Sequence, residues 1–140
     1  MKLTAKTEYA CLAMLQLAEE YSSGEPLQIR RIADEHGIPA RFLVQILLQL
    51  KGGSLVVSTR GAAGGYRLTR SPAEITLAEV IVVMDGVERP ETNAEKNTPL
   101  VGSLLALCRE LDEIQHERLA ETTLADLVEH AAQREPMWYI

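Results

Sequence analysis

A glycine-rich loop between two short apolar segments limits what this chain of 140 residues can fold into more than any other feature. The loop spans residues 60–68, RGAAGGYRL, and follows the apolar residues 55–57. It contains two arginines and three glycines: Arg60, Arg67, Gly61, Gly64 and Gly65. Glycine adopts positive φ angles without strain, so the loop favours a β-hairpin that approaches another surface closely, with charges suited to phosphate or a minor groove. The same residues also fit an ordinary tight turn.

Two helical patterns precede the hairpin. The first ends at Gly37, a residue type common at helix C-termini, and its apolar members are Leu27, Ile29, Ile32 and Ala33. The second begins at Pro39 and ends at residues 52–53, and its apolar members are Phe42, Leu43, Ile46, Leu47 and Leu50. The order helix, tight turn, helix and hairpin predicts a winged helix-turn-helix, in which the second helix enters the major groove of DNA.

The second helix has a more polar side that would face DNA, formed by Ala40, Arg41, Val44, Gln45 and Gln49. We expect Arg41 and Gln45 to reach base edges or flanking phosphates, and the two hairpin arginines to contact phosphates or the minor groove. The predicted DNA-binding residues are therefore Arg41, Gln45, Arg60, Gly61, Gly64, Gly65 and Arg67.

The net charge of −6 is unexpected for a protein that binds DNA. Residues 1–71 contain nine Lys/Arg and six Asp/Glu, a balance of +3, whereas residues 72–140 contain five and fourteen, a balance of −9. A basic face on an acidic body is typical of a chain that meets nucleic acid with one side. Solvated helices produce similar charge runs, so charge alone leaves both interpretations open.

Several motifs together resemble the Rrf2-type winged helix-turn-helix transcriptional regulators, the family of IscR, NsrR and CymR. The resemblance covers residues 1–86 well, and beyond them it thins to a helix pattern and residues 123–127. The motifs that carry it are residues 1–4, 8–10, 32–33, 37–38, 42–45, 60–68 and 75–80. The resemblance implies a DNA-binding regulator.

The resemblance also shows where this chain departs from its relatives. Members that bind an iron–sulfur cluster carry three cysteines in the loop that corresponds to residues 87–99, but here that segment contains no cysteine and no histidine. In some relatives an oxygen ligand comes from the position of Glu8, and a glutamate at the position of Val44 takes part in base selection. The departure implies a member without a cluster, which reads a different operator or reads bases less stringently. A cluster- or thiol-based redox sensor that uses Glu8 and Cys108 is the alternative.

The remaining pattern is helical. A first helix from about Thr7 to Glu20 is apolar around much of its circumference, so it must be covered on two sides. Two capping boxes, at residues 76–79 and 123–126, predict the starts of two further helices, and the first of these should end at Gly86. Residues 87–99 are polar, contain two prolines and lack apolar periodicity, which predicts a mobile loop.

After this loop, leucines and an isoleucine recur at spacings of 4, 3, 4 and 3 residues: Leu100, Leu104, Leu107, Leu111 and Ile114. Such a seam is found in core helices and in helices that pair with a partner. The resemblance assigns this position to an antiparallel dimer helix, so the predicted dimer interface is Leu104, Leu107, Leu111 and Ile114. The predicted units are residues 1–86 for DNA binding, the loop 87–99, and residues 100–140 for the dimerisation helix and a C-terminal helix.

Other functional classes find little support. No nucleophile elbow, dinucleotide fingerprint or metal-ligand spacing is present, so we expect neither an enzyme nor a metal or cofactor site. The two cysteines, Cys11 and Cys108, fall on apolar helical segments, where a small buried hydrophobe is the simplest role. No apolar run is long enough for a membrane span and no signal-peptide pattern is present, so a cytoplasmic location is expected.

The sequence therefore predicts a mainly α fold with a small β wing. The expected function is that of a homodimeric DNA-binding transcriptional regulator, a repressor, whose partners are a palindromic double-stranded operator and a second copy of itself, without a membrane partner. A dimeric interaction module with a degenerate helix-turn-helix is a second alternative. The sequence does not identify an effector.

Overall fold

A computed structural model describes residues 1–134 of the chain. Within them lie six α-helices and one two-stranded sheet: α1 (Ala5–Glu19), α2 (Ile29–His36), α3 (Ala40–Gly52), β1 (Val56–Thr59), β2 (Gly65–Leu68), α4 (Leu77–Asp85), α5 (Pro99–Glu121) and α6 (Leu124–Gln133). Two short 3₁₀ turns follow α1 and precede α4, at Tyr21–Ser23 and Pro72–Glu74. The predicted mainly α fold with a small β wing is confirmed.

Helix α1 is the centre of the core. It begins at Ala5, two residues earlier than predicted, because the Thr4 side chain accepts a hydrogen bond from the Thr7 backbone N–H at 3.2 Å and caps the helix. Helices α3, α4 and α6 pack around it, which confirms that both apolar sides are covered. Its buried members are Thr7, Ala10, Cys11, Ala13, Met14, Gln16, Leu17 and Ala18.

Helices α2 and α3 form the predicted helix-turn-helix. Gly37 ends α2 with a φ angle of 65°, a left-handed conformation that favours glycine, and α3 starts directly after Pro39. Two details of the prediction are wrong. Leu27 lies outside α2, where it pairs with Tyr66 of the wing, and Phe42, an apolar member of the α3 pattern, is 45% exposed instead of facing the core with the others.

Strands β1 and β2 form the wing, with Val56 opposite Leu68 and Thr59 opposite Gly65. Gly65 is thus the first residue of β2 and not a loop residue. Leu27 adds a short bridge to this sheet, because its N–H and C=O both form 2.9 Å hydrogen bonds with the backbone of Tyr66. The wing is therefore attached to the segment that leads into α2.

Helices α4 and α6 start at the two predicted capping boxes, which are both present. The two starts also pair with each other, since the Leu77 N–H donates to the Thr122 carbonyl and the Leu124 N–H donates to the Ile75 carbonyl, each at 2.9 Å. Leu124 is fully buried in the same core as α1. The predicted division into three units stays a prediction, but α6 packs with the first unit, residues 1–86. Residues 135–140 of the predicted C-terminal unit lie outside the described residues.

Helix α5 differs from every other helix, because none of its 23 residues is buried. The predicted seam faces away from the rest of the chain, and its exposed fractions range from 49% at Leu111 to 83% at Leu100. Beside the seam, Val101, Leu105 and Cys108 are half-buried. The interpretation of α5 as an ordinary core helix of its own domain is therefore wrong for the seam leucines.

Candidate nucleic-acid interface

Helix α3 has a clear inner and outer face. Its inner face consists of Leu43, Ile46, Leu47 and Leu50, all buried. Successive helical residues are about 100° apart, so Arg41, Gln45 and Leu48 project from the opposite side, and all three are exposed. The predicted residues Arg41 and Gln45 thus lie together on the outer face, where a DNA duplex could meet them.

Arg41 is positioned by an aromatic stack at the start of α3. Its guanidinium carbon lies 5.0 Å from the centroid of the Phe42 ring, within the range of a cation–π contact. The Phe42 ring in turn stacks on Tyr9 of α1, with 6.5 Å between centroids and 23° between planes. The apolar spacing of α3 does not predict this stack, because Phe42 fits that spacing, although its position at the edge of the apolar stripe is a possible signal.

Gln49 does not belong to the DNA-facing set, contrary to the prediction for the polar side of α3. Its Nε2 donates to the backbone carbonyls of Val83 and Met84, each at 3.1 Å. These two carbonyls lie at the end of α4, which leaves its last carbonyls without partners inside the helix. Gln49 therefore fixes α3 against α4 and is not available for base recognition.

The glycines of the wing are required by the wing itself. A Cβ atom at Gly64 would lie 2.2 Å from the Thr59 carbonyl oxygen, and one at Gly65 would lie 2.5 Å from the Leu27 carbonyl oxygen. Both distances are shorter than any real contact, so other residues would displace the backbone. The close approach that these glycines permit is thus to the chain's own backbone, and their contact with DNA stays a prediction.

The wing loop is held in place from both sides. Gln28 at the start of α2 donates through Nε2 to the Ala62 carbonyl at 3.0 Å, and Lys51 of α3 donates through Nζ to the Ser58 hydroxyl at 2.7 Å. Arg67 donates through Nη1 to the Gly24 carbonyl at 3.3 Å. Arg67 therefore links the wing to the connection between α1 and α2, and its predicted contact with DNA stays a prediction.

The basic residues of the interface region fall into two groups. Arg31 forms an ion pair with Glu20, and Arg70 forms one with Glu79 at 2.6 Å. Although burial alone would raise the pKa of Glu79, hydrogen bonds from the Thr76 backbone and from Arg70 lower it overall, so this pair is ionised at neutral pH. Over residues 1–134 the arginines outside such pairs include Arg30, Arg41 and Arg60, which are exposed.

The cysteines and acids of residues 1–134 do not fit an iron–sulfur cluster. Cys11 is buried in α1, and burial together with the charges of Asp85 and Glu8 raises its pKa to about 11, so it holds its proton where a ligand needs a thiolate. Cys108 lies half-buried on α5, and Glu8 is exposed in the first turn of α1. In residues 1–134, no three His, Cys, Asp or Glu side chains form a group that could hold a metal ion.

The sequence pattern of the Rrf2 family, described as iron-dependent transcriptional regulators, matches residues 3–130. The chain belongs to the Rrf2 family. An HTH-type protein of Mycobacterium tuberculosis is 40% identical over 95% of this chain and 88% of its own length. CymR of Bacillus subtilis, also named an HTH-type transcriptional regulator, is 33% identical over the full length of both proteins.

Solved structures agree with this assignment. The structure of CymR, the global cysteine regulator of B. subtilis, superposes with a TM-score of 0.78 at 31% identity and covers 93% of this chain and 98% of CymR. IscR of T. potens superposes with the same TM-score at 28% identity and covers 99% of this chain and 96% of IscR. Fold, family and a DNA-binding regulatory role are therefore established, and the family consists of regulators and not of enzymes.

No helix in residues 1–134 combines the length and the apolar character that crossing a membrane requires.

Proposed function

We propose that this protein is a homodimeric transcriptional repressor that binds a palindromic DNA operator without an iron–sulfur cluster. The observation that carries the proposal is the outer face of α3, where Arg41 and Gln45 are exposed beside a wing that presents Arg60. Recognition helices read base edges in the major groove, while arginines on a wing neutralise phosphates or enter the minor groove. Each element here carries a side chain of the matching chemistry.

The exposure of α5 supports the proposed dimer. Five large apolar side chains along one helical stripe remain half to four-fifths exposed in the single chain. Monomeric proteins rarely leave such a continuous apolar surface in water, and its 4-3 spacing suits pairing with a second helix. A closed two-fold dimer also doubles the DNA contacts and requires a palindromic site. The proposed interface contains Leu104, Leu107, Leu111 and Ile114.

Repression is the simpler regulatory outcome for such a molecule. A dimer that occupies a promoter blocks transcription by occupancy alone, whereas activation needs an additional surface for the polymerase. The family's description as iron-dependent does not extend to a cluster here, because the segment 87–99 lacks cysteine and Cys11 is buried and protonated.

The proposed binding of DNA is tested with duplexes that the full-length protein selects from a library of random sequences. Affinity for the selected duplex should fall steeply with salt, because bound cations are released from DNA. Arg60→Ala should weaken binding to all sequences and reduce the salt slope by about one. Gln45→Ala should change the sequence preference. The control is Arg109→Ala on α5, which should leave the affinity, its salt slope and the sequence preference unchanged.

Two results would count against the proposal. Wild-type protein without any salt-dependent duplex affinity would favour the interaction module with a degenerate helix-turn-helix. Anaerobically purified protein with a visible absorption band and about one or two iron atoms per subunit would favour the cluster sensor that uses Glu8 and Cys108. We expect colourless protein whose affinity for DNA is the same before and after exposure to oxygen or nitric oxide.

A further inference from the structure

The outer face of α3 carries two aliphatic side chains that the fold does not bury. Val44 is 40% exposed and Leu48 is 51% exposed, and they lie one helical turn apart. Neither can donate or accept a hydrogen bond, so neither can read the polar edge of a base. On a face proposed to meet DNA, they offer apolar surface that an apolar group of the DNA can cover without the loss of a hydrogen bond.

The charges around these two residues also fit DNA. Helix α3 contains Arg41 and Lys51 and no acidic residue. Lys51 contacts the wing through Ser58, which places the side of α3 that carries Val44 towards the wing. The aliphatic pair is thus set in a cationic surface between the recognition helix and the wing. A polyanion with exposed methyl groups matches this surface, whereas an apolar protein segment matches only part of it.

Thymine supplies the required group. In the major groove each base pair presents hydrogen-bond donors and acceptors, and thymine alone also presents an apolar C5-methyl group. Placing an aliphatic side chain against a polar base edge leaves that edge without its hydrogen bonds, which is costly. Packing against the methyl group leaves no polar atom unpaired and removes apolar surface from water.

We infer that Val44 is a specificity-determining residue that selects thymine by packing on its C5-methyl group, once in each half of the operator. Val44 lies in the N-terminal half of α3, the part of a recognition helix that contacts base edges, whereas Leu48 lies about 6 Å further along the helix. The inference rests on the proposed binding of DNA. It adds to that proposal the base, thymine, that is recognised at one position in each half of the operator.

The experiment removes one methyl group at a time. A duplex selected by the full-length wild-type protein is prepared with each thymine replaced in turn by deoxyuridine, which differs from thymine only by the C5-methyl group. One symmetric pair of positions should show a loss of affinity of about fourfold per methyl group, or about 15-fold when both half-sites are substituted. The other thymines should show no such loss.

Two protein variants, each measured with the thymine duplex and the deoxyuridine duplex, test whether Val44 is the residue that contacts the methyl group. Val44→Ala should bind the thymine duplex more weakly and should no longer distinguish thymine from deoxyuridine at the sensitive positions. Leu48→Ala is the matched control, an aliphatic residue of similar exposure on the same face, and it should keep the full sensitivity. Because both side chains are exposed, thermal unfolding should show that both variants are folded.

The outcomes separate this inference from the function on which it rests. Wild-type protein that selects no duplex would overturn the proposed function itself. Protein that selects a duplex but is insensitive to deoxyuridine everywhere, or whose sensitivity disappears in Leu48→Ala and persists in Val44→Ala, would overturn only the role of Val44. A sensitive thymine pair that depends on Val44 alone would establish it.

Discussion

The winged body and helix α5 use the same residue type in opposite ways. In the body, Leu43, Leu47 and Leu50 of α3 are fully buried, and they pack in one core with α1. In α5, Leu104, Leu107 and Leu111 recur at a similar spacing but are about half to two-thirds exposed. Spacing alone therefore does not tell whether a leucine stripe faces the chain's own core or another molecule.

The difference lies in what each stripe meets. Helix α3 lies against α1, which is apolar on several sides and is covered by three helices. Helix α5 contacts α4, and only its flanking residues Val101, Leu105 and Cys108 and, near its end, Leu119 are half-buried. Burial of apolar surface contributes about 25 cal/mol per Å², so the exposed seam of α5 retains an unused driving force for association. The following predictions test this contrast, beginning with the largest effect.

The substitution Leu107→Asp should separate the two subunits. It would place an unpaired charge in a buried interface, which costs on the order of several kcal/mol. Sedimentation should then show monomer or aggregate, whereas Ala106→Asp, one residue away and off the seam, should leave a dimer. Wild-type protein that is monomeric at micromolar concentration would show that the exposed seam of α5 does not drive association.

Two leucine truncations should act on different equilibria. Leu47→Ala creates a cavity in the core and should lower the free energy of unfolding by about 2–5 kcal/mol at any protein concentration. Leu111→Ala should instead weaken dimerisation, so its effect on the melting temperature should grow as the protein is diluted. Calorimetry over a range of concentrations distinguishes these cases. A concentration-independent loss in both variants would place Leu111 in a core.

The helix caps should show the same contrast on a smaller scale. Thr76→Ala, in the capping box of α4, should cost about 1 kcal/mol, whereas Thr98→Ala at the exposed start of α5 should cost less. The pKa of Glu79 is lowered in the folded state, so its contribution is present at neutral pH and is lost as the pH falls through the lowered value. The Thr76 hydroxyl makes only the smallest of the contacts that lower this pKa, so acid denaturation of Thr76→Ala should depend only slightly less on pH. Equal losses in the two variants would contradict this prediction.

The two cysteines provide the mildest test. Cys11 is buried and its pKa is raised to about 11, so in a Cys108→Ala background it should react slowly with thiol reagents at mildly alkaline pH until the protein unfolds. Cys108 is half-buried beside the seam, and in a Cys11→Ala background it should react faster when Leu107→Asp is also present. A rate for Cys108 that is indifferent to Leu107→Asp would show that dimerisation does not cover it.

Much of the fold could be predicted because its signals are local. Gly37 ends α2, and the Thr76 and Thr123 boxes start α4 and α6, as their sequences indicated. A cap or a left-handed glycine depends on residues within one helical turn, so its signal is complete in the sequence. The winged helix-turn-helix order followed from such signals, and the family assignment agreed with it.

The errors fell where a distant neighbour decided the outcome. Phe42 fitted the apolar period of α3 but lies at its edge, because Tyr9 of α1 is there to stack on it. Gln49 was expected to face DNA but binds carbonyls at the end of α4. In each case the side chain contacts another helix, and the sequence of its own helix does not specify that contact.

The sequence by itself determined where α2 ends and where α4 and α6 begin, the glycine-rich wing, and the 4-3 seam of α5, since each depends on backbone conformation and short-range spacing. Only the tertiary structure decided which side of each element is covered. It assigned Gly64 and Gly65 to contacts with the chain's own backbone and left the α5 seam and the Val44 face of α3 exposed. The physical reason is that burial is a property of what packs against a residue, and those neighbours lie far away along the chain.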